Sequence, residues 1–251
     1  LFERELINAD KLLSKFDTEG IVCYPSSDNH CCFSSITNDG LVYLYSKDKQ
    51  ENYQLKEFGI RKWSPIHSII DMRNPEDESS FIVQVENDEF GYPKLINFGV
   101  HRVKMTHYLQ NYTFLSNQPD LLGLYKQKKF ELIRAASDIT QTMPKEDLKS
   151  LTRMSMMLNE KFFRINRISS QVHLYFGDEN QSIDYARLEL AYIDPSTVWK
   201  NDTYFSVDYF AQLYRAMGVD NVKIKFTPSQ IIMMSEDEDS LRIGILRGKI
   251  M

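Results

Sequence analysis

The chain reads as an α+β protein of two repeated domains, each with two short helices packed on curved antiparallel sheet. Three observations lead there. The order helix, strand group, helix, strand group occurs twice along the 251 residues. Strand-like runs separated by Ser, Asp, Asn and Gly turn signals outnumber the helical patterns. Each helical pattern carries one apolar stripe, with cations on its other side. A chain of this length with 42 % apolar residues can fill two ordinary cores.

In the first half, NADKLLSKF (8–16) sets Ala9, Leu12, Leu13 and Phe16 on one helical face and Lys11 and Lys15 on the other. GIVCY, HCCFSSI and LVYLYSK follow as strands. WSPIHSIIDM (63–72) predicts a second helix, with Ser64 as N-cap, Pro65 at the first helical position and Ile66, Ile69 and Ile70 as the apolar face. After the acidic turn NPEDES, FIVQVEN and KLINFGVHRV read as strands.

The second half repeats the pattern. KFELIRAASDITQTM is an entry strand, and Pro144 opens a helix whose inward stripe is Leu148, Leu151, Ser155 and Leu158. FFRINRI, QVHLYFG and YARLELAYI are strands. SVDYFAQLYRAMG (206–218) predicts the fourth helix, with Phe210, Leu213, Tyr214 and Met217 inward and Gly218 at its C-terminal end. VKIKF, QIIMMSE and SLRIGILRGKI close the half, and its acidic turn EDED matches NPEDES. The expected boundaries are 1–118 and 130–251 for the domains, with a connector at 119–129.

The formal charge of −5 argues against a protein that coats nucleic acid with its whole surface, but leaves room for a local basic face. Lys145, Lys149 and Arg153 fall at i, i+4 and i+8, so one helix carries a line of cations. No apolar run approaches the ~20 residues that span a bilayer. LFERELINAD lacks the basic start and long apolar middle of a signal peptide, so no membrane partner and a cytoplasmic setting are expected. Cys23, Cys31 and Cys32 are an odd number with two adjacent, which suggests buried thiols and neither a disulfide framework nor a metal site. His30, His67, His101, His107 and His173 show no ligand spacing, and His101 and His107 read as surface residues. The acidic runs 76–78 and 236–239 fall in predicted hairpin turns, and no glycine-rich phosphate loop appears. These points predict a protein that is not an enzyme and needs no cofactor.

The doubled order of elements with cationic helices resembles the DNA sliding clamps, the family of proliferating cell nuclear antigen and the T-even bacteriophage clamps. FELIRAASDITQTMPKEDLKSLTRMSMML looks like the entry strand and first helix of a phage clamp's second domain. YFSVDYFAQLYRAMGVDNVKIKF with QIIMMSEDEDSLRIGILRGKI looks like the family's final helix and last strands. The first half matches in layout, through NADKLLSKF and SPIHSIIDM.

The resemblance implies the DNA clamp fold and a closed ring of six such domains around duplex DNA. Two domains per chain then call for a homotrimer joined by edge strands. It implies a processivity factor that tethers a replicative DNA polymerase and is loaded by an ATP-dependent clamp loader, with late-transcription coactivation as a further role in T-even phages. The hole of such a ring is lined by Lys and Arg that meet phosphates without reading bases. The candidates are Lys11, Lys15, Arg61, Lys62, Lys145, Lys149, Arg153 and Arg215. Each could equally be part of a plain solvated helix face, and Lys145 is the weakest because a cation in the first turn opposes the helix dipole. Only Asp10 and Asp208 are expected to intrude near them. For a partner-peptide pocket the resemblance points to Leu121, Leu122, Leu124 and Tyr125 with Ile250 and Met251, residues that could instead close a domain core. The rival reading is a monomeric viral processivity factor or a checkpoint-type clamp subunit that binds DNA by charge without a homotrimeric ring.

Overall fold

The computed structural model describes residues 3–25, 30–49, 56–74, 76, 81–110, 139, 141–168, 171–177, 186–193, 203–238 and 240–250. Among them lie four helices and sixteen strands. The chain divides into two compact units, Leu1–Ile133 with Glu236–Ile243 and Arg134–Ser235 with Gly244–Met251. The α+β class expected from the sequence is what the structure has.

In the first unit, α1 (Glu3–Leu13) buries Leu6, Ala9, Leu12 and Leu13 along one stripe. It starts at Glu3, ahead of the expected Asn8, because Leu6 extends the stripe back by one turn and Glu3 and Glu5 suit the positive end of the helix. It also ends earlier, and Lys15 lies in the turn that follows it. Burying each leucine contributes about 1.5–3 kcal/mol relative to exposure.

Strands β1 (Thr18–Pro25), β2 (His30–Thr37), β3 (Val42–Lys49) and β4 (Phe58–Ile60) stand in the antiparallel order β4-β1-β2-β3. Helix α2 (Ser64–Asp71) buries Ile66, Ile69 and Ile70 as its spacing predicts. Its N-cap, however, is Trp63 and not Ser64, and no side chain caps it. The Trp63 carbonyl already accepts the His67 N–H at 2.9 Å, which moves the helix start back by one residue.

Strands β5 (Phe81–Asn87), β6 (Pro93–Val100) and β7 (Val103–Tyr108) form a separate antiparallel sheet. KLINFGVHRV is therefore split in two. His101 adopts φ 51°, and a two-residue turn reverses the chain between Val100 and Val103. Of the acidic run at 76–78, residues 77 and 78 lie outside the described residues, and Glu76 lies between α2 and β5, not in a hairpin.

In the second unit, β8 (Thr142–Pro144) leads into α3 (Lys145–Leu158). Of the expected entry strand, residues 129–138 and 140 lie outside the described residues. Pro144 is the extended N-cap, Leu148 and Leu151 are buried, and Ser155 and Leu158 are half-buried. Asn159 ends the helix at φ 53°, and the Glu160 N–H donates to the Ser155 carbonyl at 3.0 Å.

A second sheet orders β11 (Ala186–Ile193), β10 (Gln171–Phe176), β9 (Phe162–Ile168), β12 (Thr203–Ser206) and β16 (Lys249–Ile250). Helix α4 (Val207–Ala216) is capped by Ser206, whose hydroxyl accepts from the Tyr209 N–H at 3.3 Å. Gly218 follows at φ 73° and donates to the Arg215 carbonyl. Phe163 on β9 ties these parts together: it stacks near Phe205 (5.8 Å), lies tilted to Phe176 (6.1 Å) and meets Phe210 of α4 edge-on (5.4 Å). The order β8, β13 (Asn221–Phe226), β14 (Gln230–Glu236), β15 (Ser240–Arg247) completes the strand set. Gly244 on β15 has no side chain because a Cβ there would overlap Leu213 of α4.

Two polar groups in these cores have measurable consequences. Tyr214 of α4 donates its hydroxyl to the carbonyls of Met143 and Asp220, 2.8 Å from each, and so ties β8 to the turn after α4. Asp48 on β3 is buried; its Oδ2 accepts from Ser46 Oγ at 2.9 Å, while Oδ1 has no hydrogen-bond partner. Burial pushes the Asp48 carboxyl up to about 6 against the pull of Ser46, Asn8 and Arg242.

A carboxyl raised in the fold holds its proton more tightly there than in the unfolded chain. Its stabilising contribution is complete below the ordinary value of 3.8 and is lost as pH rises through about 6. Asp48→Asn should therefore raise the unfolding free energy from urea titration at pH 7.5, by at most about 3 kcal/mol, with the gain fading toward pH 4. A gain that does not vary with pH would rule out the carboxylate as its source. Tyr214→Phe should cost about 1 kcal/mol and lower the melting midpoint by roughly 2–6 °C in a thermal scan.

Candidate nucleic-acid interface

Helices α3 and α4 pack side by side, each with its apolar stripe on the sheet. What remains between them is an open cleft of about 650 Å³, lined by Lys145, Leu148, Lys149, Thr152, Tyr214, Arg215, Gly218, Val219 and Asp220. Three of the eight sequence-predicted cations thus meet in one place. Burial pushes the Tyr214 hydroxyl up to about 12, so it stays neutral and adds no negative charge. The lining then holds three cations against the single carboxylate of Asp220.

The carboxylates are placed differently from the sequence expectation. Asp220 binds Lys145 twice: its carbonyl accepts the Lys145 backbone N–H at 3.0 Å, and its Oδ1 accepts from Nζ at 3.0 Å. Glu146 Oε1 lies 3.9 Å from Lys149 Nζ. Intrusion is therefore not limited to Asp10 and Asp208. All four side chains of these pairs are more than half exposed, so each pair is worth about 0–1 kcal/mol and is readily exchanged for another anion. Arg153 is exposed one turn beyond Lys149.

In the first unit, Lys11, Lys15, Arg61 and Lys62 are all exposed. Lys11 donates to Asn8 Oδ1 at 3.0 Å; burial of part of its stem, then the field of Arg242, lowers its amine from the ordinary value. Arg61 and Lys62 lie just before α2. Asp10 does not stand among these cations but is buried, its carboxylate accepting from Trp63 Nε1 at 2.7 Å.

Cations are not confined to the helices. Lys94 and Lys104 are exposed on β6 and β7, and Lys223 and Lys225 are half-buried on β13. The alternation in NVKIKF signals the latter pair, since Val222, Ile224 and Phe226 are buried and the lysines take the other face.

Of the proposed peptide pocket, Leu121, Leu122, Leu124, Tyr125 and Met251 lie outside the described residues. Ile250 is 86 % exposed on β16 and closes no core. The three cysteines are buried and free, with Cys23 Sγ and Cys31 Sγ 3.4 Å apart, and burial raises both thiols. His107 is half-buried and its Nε2 lacks a hydrogen-bond partner, so it is not a plain surface residue. Among the described residues no group of three or more His, Cys, Asp or Glu is placed to hold a metal ion. No described helix is long and apolar enough to cross a membrane.

No protein-family model matches the sequence. No curated protein sequence matches it either. Solved structures do match in fold. Proliferating cell nuclear antigen of A. fulgidus, solved with the C-terminal region of FEN-1 bound, superposes with a TM-score of 0.63 at 8 % identity, over 99 % of this chain and 96 % of that one. The same antigen from Entamoeba histolytica gives 0.55 at 14 % identity, over 99 % and 95 %. The DNA polymerase sliding clamp of Caulobacter crescentus gives 0.67 at 11 % identity, over 98 % of this chain but 64 % of its own length. The chain thus spans nearly all of the first two and less than two thirds of the bacterial clamp. With helices and antiparallel sheets matched along its whole length, the chain has the fold of the DNA sliding clamps.

Proposed function

We propose that the chain is a sliding clamp: a non-catalytic ring that encircles duplex DNA and tethers a replicative polymerase, after placement by an ATP-dependent loader. The observation that carries this reading is the meeting of Lys145, Lys149 and Arg215 in one cleft between two helices of a net acidic chain. Cations that exchange partners at low cost suit a protein that must hold DNA without stopping on it. Phosphate contacts attract duplex of any sequence through counterion release, and none of these residues needs to reach a base.

The ring is proposed as a homotrimer. A full-length match to an antigen of nearly equal length supports two domains per chain, and three such chains supply the six domains that the family resemblance implies. Among the described residues, β7 pairs only with β6 and β11 only with β10, so each is an edge strand of its sheet, as are β4, β5, β8 and β16. Pairing of β7 on one copy with β11 on the next is a head-to-tail contact, which closes into a ring when the rotation permits. Tyr108, 70 % exposed at the end of β7, would be covered by that contact.

Sedimentation should find a species of about 88 kDa, three times the 29.5-kDa chain, and Tyr108→Ala should shift it toward monomer. A stable monomer of the parent at micromolar concentration would instead favour a charge-gripping module without a ring. Lys149→Ala combined with Arg153→Ala should leave the circular dichroism melt unchanged, shorten retention on circular DNA, and reduce the slope of log affinity against log salt by roughly 1–2. Equal retention and an equal slope would remove these helices from the DNA-facing surface.

A further inference from the structure

The turn that closes α4 brings a carboxylate onto the first residue of α3. Gly218 at φ 73° turns the chain out of the helix, and β13 then runs antiparallel to β8 with Asn221 opposite Pro144. One residue further along that register, Asp220 faces Lys145. Its carbonyl accepts from the Lys145 N–H at 3.0 Å and from the Tyr214 hydroxyl at 2.8 Å, so its main chain is fixed by both helices. The side chain is 80 % exposed, yet Oδ1 accepts from Lys145 Nζ at 3.0 Å.

The three cations of the cleft are therefore not equivalent. Lys145 holds a carboxylate at hydrogen-bond distance. Lys149 has Glu146 Oε1 at 3.9 Å, beyond that distance. The Arg215 side chain has no ion pair among the described residues. Asp220 Oδ1 and a phosphate oxygen are alike in what they ask of Lys145: both are anionic acceptors for one compact ammonium. The ammonium has donors for both, but only with two anions set side by side, and their repulsion opposes that arrangement.

We propose that Asp220 limits the affinity of the cleft for duplex DNA by competing with phosphate for Lys145; this rests on the sliding-clamp reading of the cleft. A phosphate that approaches Lys145 either breaks the bond to Asp220 or shares the ammonium and lies beside the carboxylate. The first route loses an ion pair, and the second adds a like-charge repulsion. By either route the attraction that Lys145 contributes is smaller than that of an unpaired lysine at the same place. The grip of the cleft then falls mainly to Arg215 and Lys149. This is a property of one pair and not of the net charge, since an exposed carboxylate more than about 10 Å away is largely screened at 0.1 M salt.

The experiment measures binding of the full chain to a short labelled duplex at fixed pH and salt, for the parent, Asp220→Asn, Lys145→Ala and the double variant. Asp220→Asn should tighten binding roughly two- to fivefold, the range set by an exposed ion pair. Lys145→Ala should weaken binding more in the Asp220→Asn chain than in the parent, by a similar factor, because only there is the lysine unpaired before DNA arrives. Circular dichroism melts check that each chain is folded, and Lys145→Gln serves if the alanine variant is not. Arg215→Ala is the reference for the cleft itself. If it weakens binding while Lys145→Ala has the same effect with and without Asp220, the two residues act on the duplex independently; the competition is then wrong and the cleft stands. Unchanged affinity in Asp220→Asn would overturn the competition as well. If neither Arg215→Ala nor Lys145→Ala in either background alters binding, the cleft does not face DNA, and the role of Asp220 falls with that reading.

Discussion

Each of the four helices is held by one apolar stripe laid on antiparallel strands, and that one-sidedness governs the rest of the molecule. Leu6, Ala9, Leu12 and Leu13 commit one side of α1; Phe210, Leu213, Tyr214 and Met217 commit one side of the α4 segment. The contact is close enough that β15 carries glycine at position 244, where Leu213 fills the space of a side chain. A helix fixed in this way has a single free side, and its chemistry is whatever the sequence places there. Lys145, Lys149 and Arg215 converge because α3 and α4 pack beside one another with their free sides turned the same way, not because anything draws the cations together.

Burial sorts the charges into two kinds. Asp10 and Asp48 are inside, each with named partners: an indole and an imidazole for one, a serine hydroxyl and the field of Arg242 for the other. Removing such a partner exposes a desolvation cost of about 1–3 kcal/mol. Exposed pairs such as Lys149 with Glu146 are worth a fraction of that in water. The acidic total of the chain is thus a poor guide to what any one surface presents.

The apolar periodicity was enough to find all four helices, most strands and the inward residues, since burial of a stripe leaves its period in the letters. What it missed depended on distant partners. The N-cap of α2 is Trp63, whose carbonyl accepts from the His67 N–H, while its indole is held by Asp10, 53 residues earlier. Asp10 itself looked like a surface acid, and only the fold brings Trp63 and His67 to it. β4 and β12 are three and four residues long, too short to show alternation, and exist because neighbouring strands supply their hydrogen bonds. Four cations along two helices were legible as a pattern from spacing alone in α3 and from helix position in α4, but Asp220 reaches Lys145 across 75 residues of sequence and left no local sign.

That carboxylate changes what the cleft is. Asp220 pairs with Lys145 in the free chain, so on the proposed reading an arriving phosphate would displace a tethered anion of the protein. On departure the same anion would return, without waiting for an ion to diffuse in. A resident competitor lowers the depth of each phosphate well and also the barrier between wells, which is the condition for low friction: many shallow, quickly exchanging contacts let a rod of regular charge move past a surface that still holds it.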